Sequence, residues 1–259
     1  MAVPDAFVDL AHTLADVAGE IQRRYFRAEL DVERKSDESP VTIADRECEA
    51  RMRELVAARA PDHGFLGEEY AATGDDSEWV WCVDPIDGTK SFICGRPQFG
   101  TLIALLHRGR PVLGIIDQAI LRERWLGIPG RGTTLNGRAV RVRACAALAD
   151  AVLFCTSPRM YRDPAERAAF DRVESRAYLS QFSSDCYGYA LLATGFADTV
   201  VERDLYPFDF MSLIPVVEGA GGIITDWAGR PLELGSDGHV VASGDARVHD
   251  EVLGLLAQG

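Results

Sequence analysis

Two aspartates stand three residues apart in Asp84-Pro85-Ile86-Asp87-Gly88-Thr89, directly after an apolar stretch. That stretch, WVWCV at 79–83, is rich in β-formers and predicts a buried strand. Pro85 has no N–H to donate, so a central strand is expected to stop there and the chain to turn. Carboxylates held together at a buried strand end repel each other unless a proton or a cation intervenes. Oxygen ligands of this kind suit a hard divalent cation, and Mg²⁺ fits best. Gly88 would let backbone N–H groups come close to an anion. Asp-Pro and Asp-Gly are also ordinary turn pairs. Further acids brought to the same place would separate a metal site from a plain turn.

The chain offers several such acids. Thr42 and Asp45 have capping-box spacing before a helical pattern that puts Ala44, Cys48, Met52, Leu55 and Val56 on one face. Glu68 and Glu69 end the short apolar strand begun at Gly64-Phe65-Leu66-Gly67, although adjacent glutamates are otherwise ordinary solvated surface. Glu202, Asp204 and Asp209 fall between a strand and a helix start. A carboxylate there can simply compensate the helix dipole, an effect of about 0.3–1 kcal/mol. Asp185 follows two serines and precedes an apolar helix over 187–195, where a structural role is the plain alternative.

The elements that must position these acids follow from periodicity. Phe7, Leu10, Ala11, Leu14, Ala18, Ile21 and Tyr25 recur at helical spacing over 5–26. The polar run ERKSDESP at 33–40 reads as a loop or hairpin, and 90–99 as a connector. Strands at 101–106, 112–117 and 122–127 have short connections that favour an antiparallel meander. Asn136-Gly137 is a two-residue hairpin turn between 133–135 and 138–142. The pattern changes near 144–150, so two halves are expected, 1–145 and 146–259, without a flexible linker. In the second half, strands at 152–155, 178–182, 197–202, 223–226 and 240–243 alternate with helices at 164–173, 187–195, 209–218 and 246–256. Pro215 lies inside the 209–218 helix and should kink it.

Composition narrows the function. With 259 residues, 47% hydrophobic and 26% charged, the chain can bury a large core. It has no apolar run long enough for a bilayer and no basic-then-apolar leader, so a cytoplasmic protein without membrane contact is expected. A net charge of −13 argues against nucleic acid as a partner. An anionic substrate would need a bound cation to draw it in. The six cysteines show no C-x-x-C pair and read as reduced core thiols, with the role of Cys94 left open. The five histidines show no ligand spacing, so zinc is not expected.

Taken together, VTIAD at 41–45, GEE at 67–69, DPIDGT at 84–89 and ERDLYPFDF followed by EGAGGIITD at 202–226 resemble the inositol-monophosphatase-like family of Mg²⁺-dependent phosphatases. DPIDGTKSFICGRPQFGTLIALL and GIIDQAILRERWLG are similar to the histidinol-phosphate phosphatase branch. Phe208 stands where many members carry tryptophan, a departure common in that branch. The resemblance implies a layered α/β fold, an αβαβα sandwich of the α+β kind, working as a homodimer.

It also implies roles. Glu68, Asp84 and the Ile86 carbonyl would hold one Mg²⁺, and Asp84, Asp87 and Asp209 a second, with a weaker third as an option. Glu69 would stand behind Glu68. Asp45 and Thr89 would orient the attacking water, and N–H groups of Gly88 and Thr89 would bind phosphate. Asp185 and Glu202 would face the organic end of a small-molecule phosphate monoester. Histidinol phosphate, with its ammonium and imidazole, suits two carboxylates. An inositol or other sugar phosphate is the alternative substrate, and a non-catalytic binding protein on the same fold is the remote one.

Overall fold

The computed structural model describes residues 3–28, 32–34 and 40–258. Helix α1 (Asp5–Tyr25) buries Leu10, Ala11, Leu14, Ala18 and Ile21, the stripe that its periodicity predicts. Strands β1 (Val32–Arg34) and β2 (Pro40–Thr42) pair antiparallel; the loop or hairpin expected over 33–40 falls mostly on residues 35–39, which lie outside the described residues. Helix α2 (Ile43–Arg59) follows, capped by Thr42 and Asp45 in a capping box.

Seven strands then form one sheet. They are β3 (Gly64–Gly67), β4 (Trp79–Asp87), β5 (Gly100–His107), β6 (Arg110–Gln118), β7 (Glu123–Ile128), β8 (Gly132–Leu135) and β9 (Arg138–Val140). They lie side by side in chain order, β3 parallel to β4 and the others an antiparallel meander. Asn136 and Gly137, both with positive φ, make the β8–β9 turn. Alternation sorts the two faces. Trp81, Val83, Ile103 and Leu105 pack under α1 and α2, whereas Val80, Cys82, Leu102, Ala104 and Leu106 face the opposite way.

The remaining chain gives β10 (Val152–Cys155), α4 (Pro164–Glu174), β11 (Leu179–Phe182), α5 (Asp185–Ala193), β12 (Thr199–Glu202), α6 (Pro207–Phe210), α7 (Leu213–Gly219), β13 (Ile223–Thr225), β14 (Val240–Ser243) and α8 (Ala246–Leu256). Its five strands form a mixed sheet in the order β11-β10-β12-β14-β13. Helices α5, α6 and α7 are sandwiched between the sheets, and α4 and α8 cover the far face of the smaller one. The layers are therefore α1/α2, large sheet, α5–α7, small sheet, α4/α8, the αβαβα arrangement expected. Among the described residues, no helix is long and apolar enough to cross a membrane.

Three local expectations need correction. Pro85 does not end β4, which runs on to Asp87 through a bulge: Asp84 pairs with Leu102 and Asp87 with Gly100. The proline is tolerated because β3 pairs with β4 only as far as Val83, so no ladder on that side requires its N–H. The connector at 90–99 contains a short helix, α3 (Thr89–Ile93). The single kinked helix over 209–218 is instead two helices broken at Met211–Ser212. Asp209 lies within α6, and Pro215 lies in the first turn of α7, where a missing N–H costs little.

Contact between α7 and the large sheet is backbone to backbone. Gly114 and Gly127 pair across β6 and β7, and a Cβ on either would overlap the carbonyl of Ser212 or of Pro215. Gly127→Ala should lower unfolding stability by about 1–3 kcal/mol through overpacking. Gly254→Ala, on α8 with open space around it, should be neutral or stabilising. Urea unfolding of both variants checks this, and an unchanged midpoint for Gly127→Ala would contradict the close approach.

Candidate active site

The bulge in β4 is held from both sides. Its Pro85 carbonyl accepts from Nε2 of Gln22 at 2.8 Å and from Oγ1 of Thr101 at 2.9 Å, both side chains being buried. Inside the bulge, Asp84 Oδ1 accepts from the Ile86 N–H at 2.9 Å, while the Ile86 side chain is buried with Ala44, Phe92 and Phe99. Gly88 then reverses the chain at φ 87°. A Cβ there would meet the Gln98 carbonyl at 2.9 Å and Asp185 at 3.0 Å, so position 88 tolerates no side chain. Thr89 opens α3 and gives its hydroxyl to the Ile86 carbonyl at 3.1 Å, with Asp45 Oδ1 at 3.4 Å.

Other elements deliver further acids to this point. Asp45 is aimed by its capping role, with Oδ2 accepting from the Thr42 N–H at 2.8 Å and from the Thr42 hydroxyl at 2.5 Å. Glu68 follows the end of β3, beside Asp84 on the neighbouring strand. Its neighbour Glu69 gives its N–H to Glu49 at 2.7 Å. Asp209 is fixed on α6, where Oδ2 accepts the Tyr206 N–H at 2.7 Å. Carboxylate oxygens of Asp84, Asp87 and Asp209 all lie within 4.8 Å of one another. Glu68, Asp84, Ile86, Asp87, Gly88, Thr89 and Asp209 line one cavity of about 580 Å³.

Electrostatics there is dominated by burial and like charge. Burial, then the charges of Glu68, Asp87 and Asp209, hold the Asp84 carboxyl well above its ordinary range. Asp87 is raised likewise, by burial and then by Asp185 and Asp209, against the Cys186 N–H that it accepts at 2.6 Å. Asp209 is raised by burial first and by Glu68. Asp45 is raised by burial, opposed by its bonds from Thr42. All these donors are oxygens, and their repulsion is of the sign that a cation relieves. The set fits a hard divalent metal ion and offers no soft ligand.

Asp185 and Glu202 border a smaller cavity, of about 80 Å³, that shares Asp87 and Asp209 with the larger one. Asp185 accepts from the Ser91 hydroxyl at 2.8 Å and gives its N–H to Thr156 Oγ1 at 3.0 Å. Glu202 accepts from the Thr156 N–H at 2.7 Å and from the Tyr189 hydroxyl at 3.0 Å. Burial pushes its carboxyl up to about 7 against those two bonds. Sequence reasoning missed Ser91, Thr156 and Tyr189, and also Lys90, Arg162 and Tyr206, which line the larger cavity. Thr156 alone had a signal, since it directly follows a strand of the parallel pair β10–β11, where α/β sites gather.

These raised carboxyls make a pH test. In the metal-free chain they contribute stability that is fully present below the ordinary carboxylate range. It is lost as pH rises through the folded values, about 7 for Glu202. With chelator present, the melting temperature should fall between about pH 5 and about pH 8, and a divalent cation should restore it at the upper end. A flat profile would remove the repulsion from the account.

Known proteins resemble this chain in sequence and in fold. The inositol monophosphatase family profile matches residues 4–258. Over 261 aligned residues the chain is 46% identical to the bifunctional phosphatase IMPL2, chloroplastic, of Arabidopsis thaliana, covering 97% of this chain and 75% of that protein. It is 37% identical over 237 residues to a histidinol-phosphatase of Chlorobaculum parvum, covering 91% and 92%. A solved inositol monophosphatase from Zymomonas mobilis superposes with a TM-score of 0.90 at 44% identity, over 99% of each chain. The chain therefore belongs to the inositol monophosphatase family of phosphatases.

Proposed function

We propose that the protein hydrolyses histidinol phosphate with Mg²⁺ as its cofactor. The observation that carries this reading is the pair of carboxylates Asp185, half-buried, and Glu202, buried, bordering a cavity that also contains Asp87 and Asp209. A substrate bearing ammonium and imidazole groups would meet anionic acceptors there, whereas a neutral polyol would prefer mixed donors and acceptors. The relatives named histidinol-phosphatase support it. Hydrolysis of an inositol or sugar phosphate is the second reading. It is favoured by the Zymomonas neighbour and by Glu202 already accepting one bond at each oxygen.

In this reading residues 1–145 bring Asp45, Glu68, Asp84, Ile86, Asp87 and Thr89, and residues 146–259 bring Asp185, Glu202 and Asp209. Two Mg²⁺, held by Glu68, Asp84, the Ile86 carbonyl, Asp87 and Asp209, would supply charge neutralisation at the phosphoryl and leaving oxygens and a more acidic water. Thr89 and Asp45 act together: the hydroxyl lies between Asp45 and the Ile86 carbonyl, where it can orient a water and pass its proton to the carboxylate. N–H groups of Gly88 and Thr89 bind phosphate oxygens. Lys90 and Arg162 add positive charge at the cavity, which a phosphate entering a chain of net charge −13 requires.

Asp87→Asn removes one ligand charge at constant volume. It should lower kcat by at least a hundredfold while leaving the melting temperature of the metal-free protein unchanged or higher. Turnover within about tenfold of the parent at saturating Mg²⁺ would overturn the metal assignment. Glu202→Gln tests the substrate. A charge-assisted bond contributes about 1.5–3 kcal/mol, so kcat/KM for histidinol phosphate should fall roughly ten- to a hundredfold. Hydrolysis of glycerol phosphate, too short to reach position 202, should change little. If the parent enzyme prefers inositol phosphate, or the variant slows both esters alike, the second reading replaces the first.

A further inference from the structure

Helix α2 carries, one turn beyond Asp45, a glutamate that is fully buried: the Glu49 side chain has no exposure at all. It lies against the chain where β3 ends. Its Oε2 accepts the N–H of Glu69 at 2.7 Å and its Oε1 that of Tyr70 at 3.3 Å. Arg53, a turn further on, pairs with the same carboxylate, its Nε at 2.8 Å and one terminal nitrogen at 2.7 Å. That guanidinium also donates to the Tyr70 carbonyl at 3.0 Å and stacks over the Phe65 ring with its Cζ at 4.5 Å. Gly67 completes the arrangement. A Cβ at that position would overlap the Glu49 carboxylate, so only glycine lets the acid reach the backbone beyond it.

A buried carboxylate costs several kcal/mol unless it is paired and hydrogen-bonded, and this one is both. Its partners are the amides on the far side of Glu68. We propose that Glu49 is a positioning residue for the metal site, with Arg53 as its counter-charge: it fixes the turn that presents Glu68 beside Asp84. The proposal rests on the reading of Glu68 as a metal ligand. One face of α2 then serves the site twice, through Asp45 toward Thr89 and through Glu49 toward Glu68. A residue that orients a ligand in this way typically changes metal affinity ten- to a hundredfold when altered.

Glu49→Gln keeps the volume but leaves one acceptor where two amides and a guanidinium need more. Binding of Mn²⁺ to the full-length protein, followed by the electron paramagnetic resonance of the free ion, should weaken roughly ten- to a hundredfold. The kcat at saturating Mg²⁺ should stay within about threefold of the parent. Val56→Ala, a cavity in the same helix away from the site, should lower the melting temperature without moving Mn²⁺ affinity. If Glu49→Gln behaves like Val56→Ala while Glu68→Gln weakens Mn²⁺ binding, Glu49 is structural only and the proposal fails alone. If Glu68→Gln leaves Mn²⁺ binding intact, the ligand assignment fails and the proposal with it. Should Glu49→Gln not fold, Arg53→Lys decides: it keeps the charge and loses the fork, and an unchanged Mn²⁺ affinity would overturn the proposal.

Discussion

Like charge in a buried place is the constraint around which this structure is arranged. Asp84, Asp87 and Asp209 converge although burial and the charge of neighbouring carboxylates raise the proton affinity of all three. No carboxylate would remain in such a position on its own account, so each is fastened by backbone geometry. The bulge in β4 fixes Asp84 and Asp87, and the Tyr206 N–H at the start of α6 fixes Asp209. The layers around them supply the rigidity that the bulge requires, with Gln22 from α1 and Thr101 from β5 gripping the Pro85 carbonyl. Stability is thus spent at the centre and recovered in the apolar faces on either side.

Much of this was legible in the chain because it is local. Acid types and spacings at 84–89, the capping signature at Thr42 and Asp45, and the Asn136-Gly137 turn each depend on a few neighbouring residues. The meander was readable for the same reason, since its connections are short. What escaped depends on distant partners. Pro85 predicts a strand end by its chemistry, and only the shortness of β3 shows why a ladder tolerates it. The break at Met211–Ser212 answers to glycines at 114 and 127, far away in sequence. Glu49 sits among seven other charged residues in α2 and looks like solvated surface until Gly67 is brought against it.

The two cavities differ in how they are built. In the larger one, Asp84, Asp87 and Asp209 crowd together, each accepting a backbone N–H. In the smaller, Asp185 and Glu202 are each met by neutral donors, namely Ser91, Thr156 and Tyr189. Thr156 serves both, receiving the Asp185 amide at its hydroxyl and giving its own amide to Glu202. Carboxylates held in this way are pre-oriented before any ligand arrives, which lowers the ordering cost of binding. Under the proposed function, specificity in this pocket would be a property of the network rather than of either acid alone.

The middle helical layer also bears on how the chain comes to exist. The large sheet is complete by Val140, but Leu102, Ala104, Leu106, Ile116 and Trp125 on its inner face are covered by α5–α7, which end at Gly219. During synthesis at roughly 5–20 residues per second, that interval lasts on the order of ten seconds. For that time a growing chain carries an apolar sheet face with nothing to lie on it. Aggregation and chaperone binding compete with folding in such windows, so the order of the elements along the chain makes this face the molecule's most vulnerable surface at birth.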